Sequence, residues 1–253
     1  MVTIKSKSEI EKMRIAGRIT GETLMAVRDA IRPGITTREL DAVAEKYIRK
    51  QGCTPSFKGY GGFPGSICAS VNEEIIHGIP DGRVLREGDI ISVDVGACYQ
   101  GYHGDACRTF GVGEIDSESQ RLIEVTRQSF WEAVQAAVEG NRISDLSAAV
   151  QGYVESHGYS VLRNYCGHGV GAEMHEDPEV PNYVTRMRGI RMRAGMCLAI
   201  EPMVCAGKPD YFVDGNEWTV ITRDKKRAAH YENTVLITGG EPCILTMPEG
   251  MDS

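Results

Sequence analysis

Residues 86–94 read Arg86-Glu87-Gly88-Asp89-Ile90-Ile91-Ser92-Val93-Asp94, and residues 193–201 read Arg193-Ala194-Gly195-Met196-Cys197-Leu198-Ala199-Ile200-Glu201. Laid on one another at a shift of 107, Arg falls on Arg, Gly on Gly, apolar on apolar, and Asp94 on Glu201. Each segment is a Gly turn followed by a β-rich run that ends on a buried-looking acid. A second pair agrees at a shift of 106: Gly34 meets Gly140, Leu40 meets Leu146, Ala42 meets Ala148, Tyr47 meets Tyr153 and Gly52 meets Gly158. Two segments that agree within one residue point to an internal duplication with a period near half the chain. The expected organisation is a single domain, 1–253, made of two related αβ halves, about 1–115 and 116–253. Halves that face each other across a pseudo-two-fold axis bring Asp94 and Glu201 together.

The elements around these segments follow from local signals. Ser8-Glu9-Ile10-Glu11 has the S-x-x-E capping spacing and predicts a helix ending near Pro33-Gly34. Thr36 to Glu39 repeats that spacing and predicts a helix through Ile48. Ser117 to Gln120 opens a third, to about Val138, and Ser144 a fourth, closed by Gly158. Strands are expected at 89–95, at 105–110 after Gly101-Tyr102-His103-Gly104, at 197–204 and at 231–237. Period-two alternation puts Asp94 on a face with Ile90 and Ser92, and Glu201 on a face with Cys197 and Ala199. Small neighbours leave room for a ligand beside each acid.

Composition bounds the function. The 253 residues are 42% hydrophobic and 25% charged, a globular balance that excludes disorder along the whole chain. Mean hydropathy is −0.25, and no apolar run approaches the ~20 residues of a membrane helix. The start, MVTIKSKSEIEKM, lacks the apolar stretch of a secretory signal. A net charge of −7 speaks against specific nucleic-acid binding, which needs a basic footprint. The eight cysteines contain no CxxC pair, and reduced thiols in the cytoplasm are expected.

Four acids interrupt apolar strands: Asp94, Asp105, Glu201 and Glu232. A carboxylate is almost never fully buried unless it is paired or bound to a metal. Of six histidines, His168 and His175 lie in Cys166-Gly167-His168-Gly169-Val170-Gly171-Ala172-Glu173-Met174-His175. Glycines on both sides of His168 leave its imidazole unshielded. That run has neither the G-x-G-x-x-G spacing nor the lysine of a phosphate loop. Several acids with one imidazole make a mixed oxygen and nitrogen site suited to Mn, Fe, Co or Zn. Four acids exceed what one ion needs, so two ions are expected. No G-x-S-x-G elbow and no H-E-x-x-H is present.

These residues, in this order, resemble type I methionine aminopeptidase, of the pita-bread fold shared with prolidase and creatinase. The resemblance covers essentially the whole chain. It rests on Ser66 to Glu73 followed by His77-Gly78-Ile79-Pro80, on Asp94, on Gly101 to Asp105, and on Gly167 to Gly171 with His175-Glu176. It continues through Ile200-Glu201-Pro202-Met203, Trp218-Thr219-Val220 and Glu232-Asn233-Thr234. The resemblance implies an α+β architecture in which a curved antiparallel sheet is covered by helices. It implies two divalent ions held by Asp94, Asp105, His168, Glu201 and Glu232, with Asp105 and Glu232 bridging. It implies His77 and His175 beside the scissile bond, Glu201 as proton shuttle, and a methionine pocket of Tyr60, Phe63, Cys68, Met174 and Trp218. The implied activity removes N-terminal methionine from peptides and nascent chains by a water activated between two metals, with a small second residue preferred. The implied setting is a cytoplasmic monomer in transient contact with the ribosome. Gly61, Met174, Ala199 and Phe57 depart from the family pattern and bear on pocket shape. An X-Pro peptidase of the same fold, and a non-catalytic binding relative, are the rival readings.

Overall fold

The computed structural model describes residues 2–247. The outermost residues of the expected domain, 1 and 248–253, lie outside the described residues. Four helices carry the outer faces: α1, Lys7–Ala30; α2, Thr37–Lys50; α3, Ser117–Ala136; and α4, Ile143–Ser156. α1 starts one S-x-x-E earlier than expected. Ser6, not Ser8, is its cap, and the Glu9 carboxylate accepts from the Ser6 backbone N–H at 2.7 Å. α2 has the expected box, with Glu39 accepting from the Thr36 N–H at 2.8 Å. Asp116 rather than Ser117 caps α3, accepting from the Ser119 N–H at 2.7 Å. A carboxylate outcompetes a hydroxyl at a helix N-terminus because it also meets the dipole. α4 begins at Ile143, where Asp145 accepts from the Arg142 N–H at 2.7 Å.

The helices cover antiparallel sheets in pairs. Strand Ile90–Tyr99 is the spine of a four-stranded sheet, pairing with Tyr102–Gly111 in a long hairpin and with Ile67–Val71 and Thr54–Pro55. Its odd-numbered residues Ile91, Val93, Val95 and Ala97 pack under α1 and α2, on Ile19, Leu24, Leu40 and Ile48. Ile90 faces the other way, into a second core where α3 and α4 place Leu122, Phe130, Leu146 and Val150 over Leu198, Ile200, Val204 and Val235. Both faces of this strand are thus covered, which is why it reads as a nearly continuous apolar run.

The matched segments adopt matched structures. α2 and α4 are each 14 residues long and are related by the 106-residue shift. An isolated bridge joins Thr36 to Val84, and another joins Arg142 to Arg191. Gly34 N–H donates to Leu85 O at 2.8 Å, and Gly140 N–H to Met192 O at 3.0 Å. Gly34 and Gly140 have φ of 92° and 93°, a backbone conformation that favours glycine.

Two strands are shorter than expected. Residues 197–204 divide into Cys197–Ile200 and Met203–Cys205, and the expected 231–237 strand is confined to Asn233–Leu236, after a separate strand Ala228–His230. Pro202 has no N–H for a ladder, so pairing stops there. Ile200 pairs with Asn233 in a five-stranded sheet, and Met203 pairs with His230 in a three-stranded one. Glu201 and Glu232 therefore sit in the gaps where the chain passes from one sheet to the next.

Candidate active site

The acids come together along the seam between the halves. Across the hairpin Asp94 lies opposite Cys107, and Asp105 opposite Gly96. The hairpin then docks on the second half, where Cys107 and Glu232 exchange backbone hydrogen bonds of 3.3 and 2.9 Å. Two threonines extend this join. Thr234 Oγ1 accepts from the Asp105 N–H and donates to the Asp105 carbonyl, both at 3.0 Å. Thr109 Oγ1 does the same for His230, both at 2.9 Å. The Arg108 guanidinium donates to the Glu232 carbonyl at 2.6 Å and to Asn233 Oδ1 at 2.9 Å. Backbone positions of the acids are fixed by neutral hydroxyls and one arginine, while the carboxylates point into a shared cleft.

That cleft has a cavity volume of about 180 Å³. Asp94, Asp105, His168, Glu201 and Glu232 line its floor, with His77 and His175 beside them. Tyr60, Phe63, Cys68 and Trp218 form one wall. Met174, expected in that wall, packs behind it in an apolar cluster with Phe57, Phe63 and Cys68. Phe63 meets Trp218 edge-on at 5.1 Å between ring centres. Every residue picked out from the sequence is in or against this one cleft.

Electrostatics on the floor are severe. Burial pushes Asp94, Glu201 and Glu232 well above the carboxylate range, and their mutual repulsion adds to it. Burial raises Asp105 to about 8. Asp94 Oδ1, Asp105 Oδ1 and Glu232 Oε1 are buried with no hydrogen-bond partner. Orphaned buried acceptors of this kind need a compensating cation. His168 is arranged to share it: Nδ1 donates to the Gly169 carbonyl at 2.8 Å, so Nε2 carries a free lone pair. That Nε2 stands 3.6 Å from Asp105 Oδ2 and 3.7 Å from Glu201 Oε1. Two overlapping trios, Asp105-His168-Glu232 and Asp94-His230-Glu232, each have ligand atoms within 4.8 Å of one another. The donor set fits divalent metal ions, with Glu232 common to both trios.

The cleft histidines are neutral at pH 7. Surrounding protein, and then the neighbouring His168 and His103, bring His175 down to about 4. Its Nδ1 is 2.8 Å from Tyr60 Oη, and its ring centre 4.2 Å from that of His168. With the Tyr60 hydroxyl as donor, the proton of His175 is held on Nε2. Burial and the nearby His175 lower His77 to about 4. His77 follows strand Glu74–Ile76 with φ of 59°, an unusual conformation for a non-glycine residue and one that clusters at working sites. Two residues at the site lie outside the expected binding and catalytic residues: Phe57, expected only as a departure bearing on pocket shape, and His230. Phe57 lines the wall. His230 is buried, lowered to about 3 by burial, and aims Nε2 at Glu201 and Glu232. The signal for His230 was its place two residues before Glu232, which puts both on one face of an extended chain.

The family model of metallopeptidase family M24 matches residues 11–239, and the chain belongs to that family. Within it the chain groups with the methionine aminopeptidases. It is 58% identical over 250 residues to the methionine aminopeptidase of Clostridium acetobutylicum, across 98% of this chain and 100% of the relative. The crystal structure of methionine aminopeptidase from Thermotoga maritima superposes with a TM-score of 0.96 at 46% identity, over 98% of this chain and 100% of that one. Prolidase from Pyrococcus furiosus has a TM-score of 0.81 at 27% identity, over 97% of this chain but 66% of the prolidase. The shared architecture is the pita-bread fold.

Proposed function

We infer that this protein removes the N-terminal methionine from peptides. The observation that carries the reading is the pair of ligand trios sharing Glu232 beside an apolar slot walled by Phe63, Cys68 and Trp218. Asp94, Asp105, His168, Glu201 and Glu232 would hold two divalent ions, with Asp105 and Glu232 able to serve both. The ions, when bound, supply the positive charge that lets a water lose its proton near neutral pH and that polarises the scissile carbonyl. Everything else is done by side chains. Neutral His175, its Nε2 proton kept in place by Tyr60, donates toward the oxygen on which negative charge develops. Glu201 carries a proton from the attacking water toward the leaving amine. His77 contacts the substrate amide and fixes its orientation. The wall, with Met174 and Phe57 behind and beside it, takes the methionine side chain through polarizable contacts.

The domain is one catalytic unit, 1–253, whose halves, about 1–115 and 116–253, arose from one duplicated αβ unit. The equal lengths of α2 and α4 and the paired bridges support this. Substrates are methionyl peptides and nascent chains with a small second residue. A cytoplasmic monomer that meets the ribosome transiently suits them. Among the described residues, no helix is long and apolar enough to cross a membrane.

The test is an assay with Met-Ala and X-Pro peptides, with metal content counted by mass spectrometry. Methionine release from Met-Ala by protein carrying two ions is expected. Cleavage of the X-Pro peptide alone would move the chain to its prolidase-like relatives, and no turnover by the two-ion protein would make it a binding relative.

A further inference from the structure

We propose that His230 is a sixth ligand of the dinuclear site, giving each ion one imidazole. His230 Nε2 is buried and has no hydrogen-bond partner. It stands 3.7 Å from Glu232 Oε2 and 3.8 Å from Glu201 Oε2. His168 has nearly the same separations, 3.6 Å to Asp105 Oδ2 and 3.7 Å to Glu201 Oε1. Such distances are too long for hydrogen bonds. They match two ligand atoms of one ion: bonds of about 2.0–2.2 Å place neighbouring donors about 3–4 Å apart.

Either tautomer of His230 is unsatisfactory without an ion between these atoms. A proton on Nε2 leaves a buried donor unused beside two acceptors it does not reach. A lone pair there faces two carboxyl groups too far away, at 3.8 and 3.7 Å, to donate to it. A cation removes both difficulties. The main chain that carries the ring is also fixed: Thr109 Oγ1 bonds both the N–H and the carbonyl of His230, and the residue pairs with Met203 in the sheet. A fixed main chain and close packing around a buried ring limit the positions Nε2 can take. The consequence is chemical. With nitrogen on both ions, neither position is an all-oxygen site, and both favour Zn, Fe or Co over Mg or Ca.

The inference rests on the two-metal reading, and the experiment separates the two. Apoprotein labelled with ¹⁵N-histidine is titrated with Co(II), followed by calorimetry and by NMR. Two bound ions are expected, with two imidazole nitrogens showing the large contact shift that only a metal-bonded nitrogen carries. In His230→Gln one of these resonances disappears and one ion binds roughly tenfold more weakly or worse. His168→Gln removes the other resonance and assigns it. Two ions with a single contact-shifted imidazole would overturn the role of His230 and leave the two-metal reading intact. That holds even if His230→Gln weakens binding, because the effect would then pass through the carboxylates. Saturation at one ion or none would overturn both. The spectrum of the unaltered protein decides the question alone should His230→Gln fail to fold.

Discussion

Replacing Asp105 by Asn should change stability in opposite directions with and without metal. Asp105 is buried at the seam, and in the metal-free protein its pKa is raised to about 8. An unfolded aspartate titrates at about 3.9. Between these limits the folded chain keeps a proton that the unfolded chain has released. Its contribution to stability is therefore complete below about pH 4, falls as pH rises, and is gone above about pH 8. By pH 7 roughly three decades of proton concentration have been crossed, a loss of about 4 kcal/mol for an isolated group. Asp94, Glu201 and Glu232 compete for the same protons, so roughly 2–4 kcal/mol is the expected range. Asparagine has the same shape, no charge, and an amide that can donate to Asp94. In chelator at pH 7, Asp105→Asn should raise the melting temperature by roughly 5–15 °C, and its melting temperature should depend less on pH between 4 and 8. In saturating Mn(II) the order reverses. The unaltered protein gains about 2.7 kcal/mol per ion at a hundredfold excess over Kd, the variant loses at least one ion, and methionine release disappears. Thermal unfolding with and without chelator, beside a metal count, reads both effects. Equal destabilisation under both conditions would refute the reasoning, since it would make Asp105 an ordinary structural carboxylate.

His175→Ala should lower kcat by roughly 10²–10³ with metal content unchanged; lost metal would show instead that His175 is a ligand. Tyr60→Phe removes the hydroxyl 2.8 Å from His175 Nδ1. The cost of about 1 kcal/mol should appear as a roughly fivefold fall in kcat at constant metal stoichiometry, and an unchanged kcat would remove Tyr60 from the mechanism. A Cβ on Gly104 would lie 2.7 Å from the Gly17 backbone, where α1 crosses the hairpin that carries Asp105. Gly104→Ala should therefore destabilise by about 1–3 kcal/mol in denaturant titration, and a neutral result would mean α1 can shift freely.

Much of this site was legible in the chain itself. Acids inside apolar runs are anomalies that burial makes costly, so Asp94, Asp105, Glu201 and Glu232 stood out before any fold was known. The internal match at a shift of 106–107 stood out because glycines at positions of positive φ, such as Gly34 and Gly140, mark equivalent turns. Helix caps were legible to within two residues. The misplacements at Ser6 and Asp116 were competitions between adjacent residues able to cap, which geometry alone resolves. The pocket was legible only through the family resemblance, because an aromatic residue in a core and one in a cleft look alike in sequence.

The sequence by itself determined the donor chemistry: which side chains carry charge, which strands must bury it, and how many acids need a cation. Tertiary structure decided who shares an ion with whom. Whether Glu232 faces both trios, whether Met174 lies in the wall or behind it, and whether His230 turns toward the acids depend on how two sheets meet at Glu201 and Glu232. Those contacts join residues more than a hundred positions apart, Cys107 with Glu232 and Thr109 with His230. Local propensity is blind to such pairs, because the free energy that sets them comes from burying two cores against one seam.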